Sequence, residues 1–198
     1  MLVLMPFTLP INAACPPFRL PGVDGRDHSA DDLFDGAKAV VIAFTCNHCP
    51  YVINSEDRLL ALHADYAPRG VVLACINSNE TDGHPTDDFD HMVERAKEKG
   101  FEFPYLRDDS QDVARLFGAL RTPHFFAFGP DRKLAYTGRM DDSPRDPAKQ
   151  TTAELRDALD AMLAGKAPAV PLTNPIGCNV KWQGQERHWM PAEACDLV

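Results

Sequence analysis

The sequence lacks several features that would define its class at once. None of its stretches reaches the roughly 18 consecutive apolar residues of a membrane-spanning helix, which argues against an integral membrane protein. Positive charge is scarce: 20 Lys and Arg stand against 29 Asp and Glu, whereas a nucleic-acid-binding protein would show a basic face. Six cysteines in 198 residues are too few for a disulfide scaffold. The 44% hydrophobic content instead suits one folded domain with a core.

The apolar N-terminus also lacks what a secretion signal needs. Its first basic residue is Arg19, and Pro6 and Pro10 interrupt the apolar run. The residues before Cys15 faintly resemble a lipoprotein cleavage site. We therefore predict a cytoplasmic protein, with export or lipidation at Cys15 as the alternative. In the cytoplasm thiols stay reduced, so a disulfide there would be transient and catalytic.

Two continuous apolar runs of strand length predict the centre of a sheet. They cover residues 39–44 and 71–76, and a helical pattern that includes Leu59 and Leu62 lies between them. Strand, helix and strand in this order predict a βαβ unit with parallel strands.

The remaining segments extend this unit into an α/β fold. A small hairpin over 18–25 precedes the unit. After it come a helix from an N-cap at Thr86 to Lys99, a strand over 103–106 and a helix from an N-cap at Ser110 to Phe117. A hairpin of strands 125–128 and 134–137 and a last helix from Thr151 or Thr152 to Gly165 complete the order. We predict a central mixed β-sheet with helices on both faces. A domain over residues 1–165 is followed by an extended, proline-punctuated tail over 166–198 that packs on or near it.

The chemistry of the chain centres on Cys46-Asn-His-Cys49. A C-x-x-C that follows a buried strand and opens a helix is typical of redox proteins, because the helix N-terminus stabilises a thiolate. In this arrangement Cys46 faces solvent and attacks, and Cys49 resolves the mixed disulfide. A protonated His48 would favour the thiolate further, and Pro50 suits the first helical turn.

A zinc site is the alternative interpretation of the two cysteines. C-x-x-C supplies only half of such a site, and Cys178 and Cys195 form no second pair with that spacing. The His- and Asp-rich segment 82–91 carries no metal motif and is predicted to be a solvated loop. We therefore predict neither metal nor cofactor.

Thr122-Pro123 is a second candidate element of the site. A cis-proline before strand 125–128 would hold backbone beside the C-x-x-C, although trans is much the commoner state of such bonds. His124 would then lie close enough to tune Cys46 or to contact a substrate.

Five blocks of sequence together resemble the redoxin group of the thioredoxin-like proteins. This group is related to alkyl hydroperoxide reductase, thiol-specific antioxidant and TlpA-type proteins. The blocks are residues 20–26, 44–52, 56–58, 76–79 and 177–182, and Thr-Cys-Asn-His-Cys-Pro-Tyr is the most specific of their motifs. The resemblance spans residues 15–182. It implies a thioredoxin-like core with an inserted helix and strand around 79–106, and a cis-Pro123 whose neighbouring backbone receives an incoming disulfide or peptide.

The chain departs from thioredoxin itself at two points. Thr45 stands where thioredoxin has Trp before its first cysteine, and the run 39–44 holds no counterpart of its buried Asp. Glu56 and Asp57 are the remaining candidates for the proton acceptor of Cys49.

Peroxiredoxins carry the pattern Pro-x-x-x-Thr-x-x-Cys, and Ala39 and Ala43 occupy the Pro and Thr positions here. We therefore predict a thiol–disulfide oxidoreductase. It would act on protein or small-molecule disulfides and be returned to the dithiol by a cellular thiol reductant. The alternatives are a peroxiredoxin-like thiol peroxidase with Cys46 as its peroxidatic cysteine, and a non-catalytic thioredoxin-fold binding module.

The other cysteines are assigned smaller roles. Cys75 lies in a predicted buried strand and should be a core residue. For Cys178 we favour an inert tail cysteine packed by Trp182 and Trp189, with a third redox thiol as the alternative. Cys195 is predicted to be an exposed terminal thiol.

Overall fold

The computed structural model of the protein describes residues 7–184. Cys195 and Trp189 lie outside this range. The strands are β1 (Arg19–Pro21), β2 (Asp27–Ser29), β3 (Ala39–Thr45), β4 (Val71–Asn77), β5 (Tyr105–Arg107), β6 (Arg121–Thr122), β7 (His124–Phe128), β8 (Leu134–Gly138) and β9 (Cys178–Asn179). The helices are α1 (Ala30–Phe34), α2 (Pro50–Ile53), α3 (Glu56–Tyr66), α4 (Phe89–Lys99), α5 (Asp112–Phe117) and α6 (Glu154–Leu163).

A five-stranded mixed sheet with the order β5-β4-β3-β7-β8 forms the centre of the molecule. Strands β3, β4 and β5 are parallel, and Ala39 pairs with Val71 at the start of the β3–β4 register. Strands β7 and β8 form the predicted antiparallel hairpin. The predicted βαβ unit is confirmed, as are the mixed sheet and the α/β class.

Strand β3 supplies side chains to both halves of the core because successive residues point to opposite faces. Val41 and Ala43 pack with residues of α3, α4 and α6 on one face. Ile42 and Phe44 pack with residues of α1 and α5 on the other. Every residue of β3 is buried, which explains its unbroken apolar sequence.

Three helix starts differ from the sequence prediction. Helix α4 is capped by Asp88, whose carboxylate accepts from His91 N–H (2.9 Å), because residues 85–87 form a separate 3₁₀ turn. Helix α5 begins after Gln111, which has a φ of 63°. Helix α6 begins after Ala153, because the Thr151 hydroxyl group that would cap an earlier start is hydrogen-bonded to Asp142. The small hairpin also lies later than predicted, since its second strand follows Gly25.

Both edges of the sheet are partly covered by other segments. Gly22, in the turn after β1, forms a bridge with Leu106 of β5. Leu172, in the segment after α6, forms a bridge with Thr137 of β8. The chain then continues to β9, which pairs antiparallel with β6. The described part of the C-terminal segment, residues 166–184, thus runs along the domain.

Within residues 7–184, none of the helices has the length and apolar character needed to cross a lipid bilayer.

Candidate functional site

Cys46 and Cys49 lie in the loop between β3 and α2. Strand β3 ends at Thr45, which is buried and pairs with Asn77 of β4. Cys49 is the N-cap of α2, and Pro50 is the first helical residue. The prediction that the C-x-x-C opens a helix is therefore wrong for Cys46. Only Cys49 adjoins the helix N-terminus.

Thr122 links the two cysteines. The Cys46 thiol donates to Thr122 Oγ1 (3.4 Å), and the Cys49 thiol donates to the carbonyl oxygen of Thr122 (3.2 Å). The Thr122–Pro123 peptide bond is cis, as the resemblance implied. The cis-proline loop and the C-x-x-C loop therefore meet at one residue.

Both sulfur atoms are buried. The exposed fraction is 1% for Cys46 and 0% for Cys49, so the expectation that Cys46 faces solvent is wrong in this structure. Burial raises the pKa of Cys46 well above its ordinary value, and a hydrogen bond with Cys49 and the charge of Asp87 add to the increase. The pKa of Cys49 is lowered, chiefly by its hydrogen bond with Cys46 and also by contacts with Cys178 and the backbone of Val52, against the effect of burial.

Asp87 is a buried carboxylate at the other side of the loop. It accepts from the backbone N–H of Asn47 (2.6 Å), from Nδ1 of His48 (2.6 Å) and from Nδ2 of Asn79 (2.9 Å), and its exposed fraction is 0%. Burial would raise the pKa of Asp87, but these hydrogen bonds outweigh it and lower the pKa. An ionised carboxylate only accepts, so His48 Nδ1 carries a proton.

The sequence prediction that segment 82–91 is a solvated loop is therefore wrong for Asp87. Its position was missed because its immediate neighbours, Thr86 and Asp88, are polar and typical of a solvated loop. The signal that could have found it is the partner block over residues 76–79, which supplies Asn79.

A second imidazole extends this arrangement. The rings of His48 and His84 are stacked with centroids 4.5 Å apart. His84 Nδ1 in turn bonds to Glu80 Oε1 at 2.5 Å. Each imidazole is thus oriented by a carboxylate.

Neither predicted proton acceptor of Cys49 occupies that position. The Glu56 carboxylate is buried and held by Arg95 (2.7 Å) and Lys99 (3.2 Å). The Asp57 side chain is 91% exposed. The carboxylate that does lie beside the cysteine loop is Asp87.

His124 does not line the site. Its ring is buried, with Nδ1 accepting from the backbone N–H of Leu120 (3.3 Å) and Nε2 bonded to Thr137 Oγ1 (3.1 Å). Burial lowers the pKa of His124 to about 3. The expectation that His124 contacts a substrate is not met, because the ring is buried and both of its nitrogens are hydrogen-bonded inside the core. Cys75 is a buried core residue, as predicted.

The structure brings Cys178 to the cysteine pair. Cys178 lies in β9, where it is the register partner of Thr122, and it packs against the cluster that contains Cys46 and Cys49. The favoured interpretation of an inert tail cysteine away from the site is therefore wrong about its position.

Cys46, His48 and Asp87 each offer a metal-ligand atom, and these atoms lie within 4.8 Å of one another. They are three donors, and the short His48–Asp87 hydrogen bond engages two of them. As it stands, the arrangement orients an imidazole beside a thiol. The expectation of no metal remains a prediction.

Comparison with known proteins identifies the class of fold. The thioredoxin domain of a thiol-disulfide oxidoreductase from Bacteroides vulgatus superposes with a TM-score of 0.54 at 17% identity, covering 64% of this chain and 86% of that one. Peroxidoxin BcpB from Mycobacterium tuberculosis gives a TM-score of 0.60 at 20% identity, with coverage of 78% and 96%. These similarities show a thioredoxin-like fold.

Residues 11–137 match the AhpC/TSA family, and the chain belongs to that family. An uncharacterized conserved protein from Geobacillus kaustophilus is similar along nearly its whole length: it has 38% identity, a TM-score of 0.83, and coverage of 89% of this chain and 94% of that chain. No curated protein matches the chain. The family and fold support an oxidoreductase of the redoxin type.

Proposed function

We propose that the protein is a thiol–disulfide oxidoreductase whose Cys46 and Cys49 alternate between a dithiol and a disulfide. The observation that carries this proposal is that both thiols bond to one residue: the Cys46 thiol donates to Thr122 Oγ1 (3.4 Å) and the Cys49 thiol to the Thr122 carbonyl oxygen (3.2 Å), and the two cysteines pack in one cluster. Two thiols that meet at one residue are placed to form a disulfide.

The reaction transfers two electrons to a substrate disulfide. One thiolate attacks a substrate sulfur, which forms a mixed disulfide and releases a first substrate thiol. The second cysteine then attacks the mixed disulfide, which closes the Cys46–Cys49 bond and releases the second substrate thiol. Two thiols of a cellular reductant restore the dithiol and leave as a disulfide.

Two observations bear on which sulfur attacks. The order of the motif assigns the attack to Cys46, with the His48–Asp87 pair beside it as a proton carrier. The hydrogen bonds instead favour the thiolate on Cys49. Trapping of a mixed disulfide in each single variant, Cys46→Ser and Cys49→Ser, separates the two assignments, because only the attacking cysteine holds the substrate.

Family membership favours a second candidate function, reduction of peroxides. In that reaction the Cys46 thiolate attacks the O–O bond and becomes a sulfenic acid while water or an alcohol leaves. Cys49 then forms the disulfide and releases water.

Two assays on the wild type and the two serine variants test the proposal: insulin reduction driven by dithiothreitol, and hydrogen peroxide consumption. We expect insulin reduction to be lost in both variants and peroxide turnover to be slow. Cys15→Ser is a control, since Cys15 is a half-buried thiol that packs against a different cluster and donates to the carbonyl oxygen of Pro16. Fast peroxide turnover that needs Cys46 would favour the peroxidase. Absence of both activities in the wild type would leave a non-catalytic binding module.

A further inference from the structure

The three sulfur atoms of the site differ in their access to solvent. Cys46 and Cys49 are buried, whereas Cys178 is half-buried. Cys178 is therefore the first of the three cysteines that an approaching protein disulfide or thiol reductant contacts.

Several backbone contacts hold Cys178 in this position. The backbone N–H of Val180 donates to the carbonyl oxygen of Leu120 (3.3 Å), and the backbone N–H of Lys181 donates to Asn79 Oδ1 (2.8 Å). Gln111 Nε2 donates to the carbonyl oxygen of Lys181 (2.7 Å). The segment is thus tied to the domain by elements that are distant in sequence.

Gly177 allows the closest approach of this segment to the site. A Cβ atom on Gly177 would lie 2.1 Å from the carbonyl oxygen of Thr122, which is far inside contact distance. Glycine therefore lets the chain lie directly on the residue that holds Cys46 and Cys49. Cys178, the next residue, reaches Cys49 as a result.

Thr122 brings the three cysteines together, since its hydroxyl and carbonyl oxygens accept from Cys46 and Cys49, and Cys178 is its register partner and packs against both. We propose that Cys178 is a third exchanging thiol that passes the disulfide between the buried pair and external thiols. This inference rests on the proposed oxidoreductase function and adds the route by which electrons reach its buried pair.

The exchange balances without a further reactant. In the oxidised protein the Cys178 thiolate attacks Cys49 Sγ, which forms the Cys49–Cys178 disulfide and releases Cys46 as a thiolate. An external thiolate attacks Cys178 Sγ and releases Cys49. A second external thiol then attacks that mixed disulfide, leaves as an external disulfide and frees Cys178. Read in reverse, the same steps reduce an external disulfide.

The local charges fit this order of events. In the reduced protein burial raises the pKa of Cys178 to about 12, and the charge on Cys49 contributes, whereas Lys181 and Arg121 oppose the increase. Once Cys49 is part of a disulfide it carries no charge, and the two cations remain. The pKa of Cys178 is therefore lower in the oxidised than in the reduced protein, which raises its thiolate fraction when there is a disulfide to attack.

Disulfide mapping tests the central bond. The Cys46→Ser protein is oxidised with one equivalent of diamide, blocked with N-ethylmaleimide and digested with trypsin, which places Cys15, Cys49, Cys75 and Cys178 on separate peptides. We expect an intramolecular Cys49–Cys178 link and none to Cys15. Recovery of alkylated Cys49 and Cys178, or of dimers linked through Cys49, would overturn the proposal.

Kinetics test the route. We expect reduction of the oxidised full-length protein by glutathione to slow at least tenfold in Cys178→Ser. The Gly177→Ala variant should also be slow, because it keeps the thiol but displaces its backbone, and Cys15→Ser should match the wild type. A wild-type rate in Cys178→Ser refutes the route while leaving the oxidoreductase intact. Failure of the wild type to form a Cys46–Cys49 disulfide instead refutes the proposed function itself.

Discussion

The buried imidazole of His124 should make the protein sensitive to mild acid. Its Nδ1 accepts from the backbone N–H of Leu120, so a proton added there would face another donor inside the core. Burial lowers the pKa of His124 from 6.5 to about 3. Below pH 6.5, His124 therefore binds a proton in the unfolded chain but not in the folded protein. The resulting stability is present above pH 6.5 and is lost as the pH falls toward 3.

The size of the effect follows from the shift in pKa. One pKa unit corresponds to about 1.4 kcal/mol, so the contribution of His124 should decline by up to about 1.4 kcal/mol per pH unit, or about 2 kcal/mol between pH 6.5 and 5. His124→Gln keeps a donor for Thr137 but does not titrate. We therefore expect the free energy of unfolding of the wild type to fall faster with acidification than that of the variant.

Urea unfolding followed by circular dichroism between pH 8 and 5 measures both slopes. His91→Gln is the matched control: His91 is exposed, and its hydrogen bond to Asp88 raises its pKa. Its replacement should therefore remove a small gain of stability in acid, the opposite sign. Parallel pH profiles for the wild type and His124→Gln would show that the folded protein accommodates the charged ring, and the reasoning would be refuted.

Three further substitutions test the site and its support. Asp87→Asn removes a buried charged acceptor, so we expect a loss of about 2–4 kcal/mol in urea unfolding at pH 7. The loss should shrink as the pH falls below the ordinary pKa of an aspartate, because the unfolded wild-type chain then takes up a proton that the folded protein, with its lowered Asp87 pKa, does not yet bind. Thr122→Val removes the hydroxyl group that lowers the pKa of Cys46. Alkylation of Cys46 by iodoacetamide at pH 8, measured by mass spectrometry, should therefore slow about tenfold. An unchanged rate would contradict this expectation. Glu56→Gln leaves two buried or half-buried cations without their carboxylate and should cost about 3 kcal/mol in the same unfolding assay, whereas Asp57→Asn at the exposed neighbouring position should cost almost nothing.

Local sequence patterns predicted the core of the fold well. The unbroken apolar residues of β3 and β4 are shielded from water only if both faces of the sheet are covered, so the burial of these strands could be predicted. Their parallel pairing could be predicted because a helix lies between them in the sequence. Helix starts were less predictable, because Thr86 and Asp88 are both good caps and the choice depends on which hydrogen bonds the preceding turn leaves available.

The composition of the site was only partly predictable. The motif identified Cys46 and Cys49, but the burial of Asp87 depends on donors from Asn47 and Asn79, which come from two other loops. The position of Cys178 depends on the path of a tail with no periodicity. Contacts between segments so far apart in sequence leave no local pattern.

The bridge between Leu172 and Thr137 has a consequence for how the domain can be shortened. Strand β8 is an edge of the sheet, and an uncovered edge is a template for pairing with another chain. A protein cut after α6 would lose this cover and would also uncover the Thr122 strand that β9 occupies. Such a truncation should self-associate, and its poor solubility would then be mistaken for a defect of the catalytic loop.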